Sequence, residues 1–144
     1  MMMSERLYIG IDLGTFQSTI TGSNGASISV QTVVGKPKDP IARNFLKKDT
    51  LFGQEALTNK LACNLYYPLS AGVAQDDENN LAAAKSFVTY LVETVDPEEF
   101  DEVFGVICSP SHISFVDKSN LVSILRGQVN AIMVVSEPFA VAFG

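Results

Sequence analysis

Asp12, Gly14 and Thr15 are the residues of this chain whose types and spacing could do chemistry. They close the apolar run Leu7-Tyr8-Ile9-Gly10-Ile11 with an acid and then a glycine turn. A strand fixes the direction of Asp12. Gly14 offers the φ freedom and the close backbone approach that a phosphate-binding turn uses, and Thr15 adds a hydroxyl donor. A carboxylate beside a phosphate is repulsive alone, so the pattern makes chemical sense when Mg²⁺, usually through water, lies between the two. A metal-nucleotide ligand is one reading of the pattern. An ordinary strand running into a turn is the other.

The rest of the composition offers little competing chemistry. Cys63 and Cys108 lack metal-ligand spacing and His112 is the sole histidine, so no zinc set can be assembled and both thiols are expected to be buried, reduced packing residues. A formal charge of −6 and a pI near 4.6 disfavour nucleic acid and anionic membrane surfaces as partners. With 144 residues, 47% of them hydrophobic and 18% charged, the chain suits one compact domain with a real core. No signal peptide or membrane anchor is evident in Met1 to Arg6, and a cytoplasmic protein is expected.

The elements that must position Asp12 follow from pattern. Strands are expected over about residues 6 to 12, 18 to 22 and 26 to 34, the last two joined at Asn24-Gly25 by a type I′ hairpin. Ala26, Ile28, Val30, Thr32 and Val34 alternate with Ser27, Ser29 and Gln31, as in a sheet with one covered face. The phosphate turn then sits at the first corner of a three-strand meander. From Gly35 the character changes. Lys36-Pro37-Lys38-Asp39-Pro40 is unsuited to a regular helix or a central strand, and most of the basic residues lie in the 25 positions after Gly35. A small inserted subdomain is expected there, with strands at 51 to 53 and 61 to 67 and a helix at 54 to 60. Its charges form a solvated surface or contact a neighbouring subunit.

Asp76, Asp77 and Glu78 complement the positive end of a helix whose stripe is Leu81, Ala84, Val88, Leu91, Val92 and Val95, stopped at Asp96-Pro97. The unbroken apolar run Val103 to Cys108 reads as a parallel strand covered on both faces. A helix from about Ser114 to Arg126, with Leu121, Ile124 and Leu125 inward, and a strand Ala131 to Val135 complete a βαβ unit. Ser136 to Gly144 begins like another helix, with proline in its first turn.

The segment Ile9-Gly10-Ile11-Asp12-Leu13-Gly14-Thr15 resembles the first phosphate loop of the actin, heat-shock chaperone and sugar-kinase ATPases. Two further stretches, Val34 to Arg43 continuing through Phe52-Gly53-Gln54-Glu55-Ala56, and Val134 to Gly144, resemble the bacterial actins of the MamK-like magnetosome branch. Tyr67 to Val73 is similar to that family's lead into its first large helix. The resemblance covers nearly the whole chain as the N-terminal portion of such an actin. It implies an α/β, ribonuclease H-like actin fold with a mixed sheet flanked by helices. Residues 1–34 and 74–144 would form core subdomain IA, and residues 35–73 the small inserted subdomain IB.

The same resemblance implies ATP and Mg²⁺ as ligands. Asp12 would face the hydrated metal, Gly14, Thr15, Phe16 and Gln17 would line the phosphates, and Glu137 of the Glu-Pro dipeptide would position the attacking water. Phe16 departs from the small residue usual in that loop, and Glu137 is also suited to capping a helix. Actin ATPases hold nucleotide between two domains. The second aspartate-glycine loop and the adenine pocket would follow Gly144, so this chain alone is expected to bind ATP weakly or not at all and to hydrolyse it negligibly. Implied partners are full-length MamK or other actin-like subunits along magnetosome-associated filaments, with no nucleic acid and no membrane insertion. The alternatives are half of an ATPase completed by a second domain, or a sugar-kinase or chaperone piece.

Overall fold

Leu7, Ile9 and Ile11 fall on one side of strand β1 (Arg6–Leu13) and are buried, while Tyr8 and Asp12 on the other side are exposed. That alternation sets the two faces of the main sheet. The computed structural model describes residues 5–69, 78–109 and 115–136. Asp76, Asp77, His112, the segments 70–73 and 110–114 and everything from Glu137 onward lie outside the described residues.

β1 pairs antiparallel with β2 (Gln17–Gly22), which pairs antiparallel with β3 (Ser27–Gln31). On its other side β1 runs parallel to β7 (Glu102–Ser109), and β7 runs parallel to β8 (Ala131–Ser136). The sheet order is β3-β2-β1-β7-β8. A smaller sheet, ordered β5-β4-β6, comprises β4 (Val34–Pro37), β5 (Leu51–Phe52) and β6 (Cys63–Tyr66). Two short helices accompany it, α1 (Pro40–Leu46) and α2 (Gln54–Thr58). Helix α3 (Glu78–Glu93) covers the buried face of the main sheet with Ala83, Ala84, Phe87, Val88, Leu91 and Val92. Helix α4 (Phe115–Leu125) adds Ile124 and Leu125 to the same core. A mixed sheet flanked by helices is the α/β architecture expected.

Several local expectations are corrected. The third strand does not run on to Val34. It stops at Gln31 because the Thr32 N–H donates to the Phe16 carbonyl (2.9 Å) and the Val33 N–H turns back to the Gln31 carbonyl (2.8 Å). Val33 then points into the small sheet's own cluster with Leu51, Ala56 and Cys63. The hairpin at Asn24-Gly25 is not type I′, which needs positive φ at both central residues. Only Gly25 has it, at φ 92°, and its N–H closes a turn onto the Gly22 carbonyl (3.0 Å).

Pro37 does lie in the central strand of the small sheet. β5 pairs only with Val34 and Gly35, so at Pro37 the strand has a neighbour on one side alone and its missing N–H costs nothing on the open side. Asp39-Pro40 likewise begins a helix. The Asp39 carboxylate accepts from the Ala42 N–H (2.7 Å), and proline in the first turn lacks a donor that would go unused there. The α3 stripe omitted Phe87 and Ala83, which are fully buried. Cys63 is buried, which pushes its thiol pKa up, while Cys108 is half-buried; neither forms a disulfide.

β7 is not covered on both faces among the described residues. Val103, Gly105 and Ile107 are buried, but Val106 is exposed, as is Met133, its register partner on β8, at 61%.

Candidate functional site

Asp12 stands near the C-terminal end of β1, level with Thr19 on β2 and Cys108 on β7. Its side chain shares the open face of the sheet with Tyr8 and is exposed. β1, β7 and β8 are parallel, so their C-terminal ends meet at one sheet edge, the place where open α/β sheets present ligand-binding loops. Ser136, the last residue of β8, is in register with Ser109, one step beyond Cys108. Two strand spacings, about 10 Å, therefore separate the end of β1 from the end of β8. Glu137 follows Ser136 in sequence but lies outside the described residues.

The turn after Asp12 is built on a close approach. A Cβ at Gly14 would overlap the carbonyl oxygen of Gln17. Gly14 has no positive φ, so of the two reasons the sequence offered, φ freedom and close backbone approach, the first is not used, and the close approach is made by the chain's own Gln17 carbonyl. Thr15, Phe16 and Gln17 are exposed, Phe16 at 78%, which leaves the face of the turn accessible to a ligand. The unusual aromatic thus stands out from the turn instead of filling it.

Sequence reasoning missed what holds the turn from behind. Ser18 and Thr32 are buried, with hydroxyls 2.7 Å apart, and the Thr32 N–H holds the Phe16 carbonyl. The signal was present as Thr32, a polar residue on the covered side of an apolar alternation. From there the chain enters the small sheet, where Gln31 donates to Gln54 (3.1 Å) and the Gly53 N–H to the Val33 carbonyl (3.0 Å). The small sheet is therefore tied through Thr32 and Val33 to the Gly14–Gln17 turn. Removing one hydroxyl strands the other in the core, so Thr32→Val should cost about 1–3 kcal/mol. Adding Ser18→Ala should return part of that loss, and urea unfolding of the two single variants and the double variant measures it.

No group of three metal-ligating side chains exists among the described residues. One exposed carboxylate beside a turn suits a metal held mainly through water, which is how Mg²⁺ usually keeps its shell. Asp12 and the Gly14–Gln17 turn fit that role. A separate hollow of about 460 Å³ lies between Phe52 of the small sheet and Lys85, Tyr90 and Glu93 of α3. It belongs to the side of the sheet opposite Asp12, where Phe52 and Tyr90 stack at 4.5 Å.

No protein-family model matches the chain. It is 34% identical over 141 residues to the actin-like protein MamK of Paramagnetospirillum magneticum, covering 97% of this chain and 41% of that one. Against MamK of Magnetospirillum gryphiswaldense the identity is 34% and the shares are 97% and 39%. The chain thus spans about two fifths of the length of the curated relatives it matches. Among solved structures it superposes on a non-polymerising MamK mutant bound to AMPPNP with a TM-score of 0.89, at 32% identity, over 98% of this chain and 44% of that one. On the MamK double helical filament the TM-score is 0.90, over 96% and 43%. MreB5 of Spiroplasma citri bound to ADP shares the fold at a TM-score of 0.66 with 16% identity, over 92% and 38%. No described helix is long and apolar enough to cross a membrane. By sequence and by fold the chain is MamK-like, a bacterial actin sequence matched to the N-terminal portion of its relatives.

Proposed function

We propose that this chain supplies the phosphate-facing corner of a MamK-like actin and acts as a component or modulator of a magnetosome-associated filament. The likeness to MamK along nearly the whole chain, which extends to the double helical filament structure, carries this reading. Subunits of such filaments meet end to end, and a chain with the first domain's surfaces can join at one of those ends. Cosedimentation with polymerised full-length MamK tests it. Pelleting with the polymer, or a change in polymer length, is the expected result; neither would remove the proposal.

At that corner Asp12 would face a hydrated Mg²⁺, and the amides of Gly14 to Gln17 with the Thr15 hydroxyl would take the phosphate oxygens; the family resemblance assigns water positioning to Glu137, which lies outside the described residues. The metal, when bound, offsets charge on the terminal phosphate. Stabilising the developing charge of phosphoryl transfer takes donors held around it in a water-poor cleft. The described residues offer one wall, built from a single carboxylate and a single turn. Isothermal titration of these 144 residues with Mg-ATP should therefore show no binding at micromolar or tighter affinity, and no measurable hydrolysis.

A second reading has the chain as half of an ATPase completed by a further domain. The accessible Asp12 turn favours it, since Asp12, Thr15, Phe16 and Gln17 are exposed and leave the face of the turn open to a ligand. Supplying the second aspartate-glycine loop in trans should then restore turnover, and Glu137→Ala should abolish it.

A further inference from the structure

Asn24-Gly25 is the one place in the sequence where an asparagine precedes a glycine, and every other asparagine is followed by a residue with a side chain. Asparagine is thermolabile because the next main-chain nitrogen can attack its side-chain amide, and glycine, with no Cβ, leaves that nitrogen unshielded. The pair is thus a reactive dipeptide as well as a turn.

The fold places this dipeptide at a junction of three elements. Ser23 ties the corner between β2 and β3 to β1: its N–H donates to the Tyr8 carbonyl (2.8 Å) and its Oγ accepts from the Tyr8 N–H (3.0 Å). Asn24 ties the same corner to the end of α3. Its Nδ2 donates to the Val95 carbonyl (3.0 Å), just past the last residue of that helix, and its Oδ1 accepts from the Ala26 N–H (3.3 Å). The final carbonyls of a helix lack intrahelical donors and carry its negative dipole end, so the Asn24 amide meets a real demand there. Gly22 makes room for the side chain, since a Cβ at that position would overlap Asn24 Oδ1.

The bonds that make the junction also restrain its chemistry. The attacking group would be the Gly25 nitrogen, whose N–H is engaged by the Gly22 carbonyl (3.0 Å). The attacked group would be the Asn24 amide, pinned through both its nitrogen and its oxygen. Attack therefore requires the corner to come away from Val95 first, and its rate follows the population of that opened state.

We infer that Asn24-Gly25 is a self-modification site, whose conversion by water to aspartate and isoaspartate unlatches the β2–β3 corner from α3. The Gly25 nitrogen gives its proton to hydroxide and bonds to Asn24 Cγ; the Cγ–Nδ2 bond breaks, and Nδ2 leaves as ammonia with a proton from water. Water then opens the cyclic imide. Addition at Cγ gives aspartate, and addition at the main-chain carbonyl carbon of residue 24 gives isoaspartate, whose main chain is one carbon longer. The net change is an amide and a water becoming a carboxylic acid and ammonia, with no oxidant or reductant. Either product loses the donor to the Val95 carbonyl and sets a carboxylate at the negative end of α3, in a stretch that already holds exposed Glu93 and Asp96. The corner then has no reason to close again, and the change accumulates with the age of the molecule.

Incubation of the full chain at mildly alkaline pH, folded and in urea, tests this by peptide mass spectrometry and by isoaspartyl methyltransferase labelling. Unfolded chain should convert at Asn24 ahead of every other asparagine, and folded chain about tenfold or more slowly, as local opening demands. Gly25→Ala should slow conversion in urea, where none of the native bonds operates. Converted molecules, separated by anion exchange through their added charge, should unfold at lower urea than unconverted ones. Asn24→Asp, which reproduces one product, should lower the urea midpoint more than Asn24→Ala, which loses the donor without gaining a charge. That gap should narrow at about 1 M salt, where the screening length is about 3 Å. Conversion in urea spread evenly over the asparagines would overturn the assignment of the site. Equal rates in folded and unfolded chain, or converted molecules with an unchanged urea midpoint, would overturn the latch.

Discussion

Phe87→Ala should lower the unfolding free energy by about 3–5 kcal/mol, the largest loss expected from any single truncation in this chain. Phe87 lies in the middle of α3 and is completely buried among the residues of the main core. Its ring sits 6.4 Å from that of Phe52, which belongs to the small sheet, so it packs where the inserted element meets the main core. Small domains are stable by only about 5–15 kcal/mol, and a cavity here takes a large share of that margin. The urea midpoint should drop sharply with little change in slope. Phe52→Ala, half-buried and stacked on Tyr90, should cost less.

Gly14→Val should be nearly as damaging, at about 3 kcal/mol, the upper end of what forced insertion usually costs. The new Cβ overlaps the Gln17 carbonyl, and backbone cannot yield as the end of a side chain can. Opening the turn also pulls at the Thr32 bond to Phe16 and hence at the entry to the small sheet. Gly25→Ala is the informative control. Nothing lies within 4 Å of its missing Cβ, but its φ of 92° strains any side chain, so a loss of about 1–2 kcal/mol is expected from backbone conformation alone. Urea unfolding of both variants separates steric from conformational demand for glycine.

The main sheet was legible in the sequence because its strands obey simple periods. Leu7, Ile9 and Ile11 announce one buried face, and the acid at position 12 announces where that strand must end in something other than core. The small sheet was harder. Val33 breaks the alternation of β3 because it serves a different core, and a period-two reading cannot tell a change of sheet from a continued strand. Prolines misled for a related reason. Pro37 and Pro40 argue against a regular strand or helix by pattern alone, yet each occupies a position in its element where a missing N–H goes unnoticed. The continuous apolar run of β7 overstated its burial, since hydrophobicity marks what a strand is made to meet and not whether that partner lies within the described residues.

At the candidate site the sequence pointed to Asp12 and the glycine turn, and geometry supplied the reason for Gly14. Of the Ser18–Thr32 brace only Thr32 stood out in the sequence, because its members lie fourteen positions apart and pair only after the chain folds back. The placement of Asp12 near the edge reached by Ser136 depends on three parallel strands coming into register, which no local pattern encodes.

The central claim is that the corner formed by Asp12 and residues 14 to 17 is where this chain meets phosphate. Amide chemical shifts recorded during a titration with Mg-ATP into the millimolar range test it most directly. Shifts concentrated on Gly14, Thr15, Phe16 and Gln17, strongly reduced in Asp12→Ala, are the expected result. Unmoved amides at those four positions, or shifts centred on the hollow between Phe52 and Tyr90, would contradict the account.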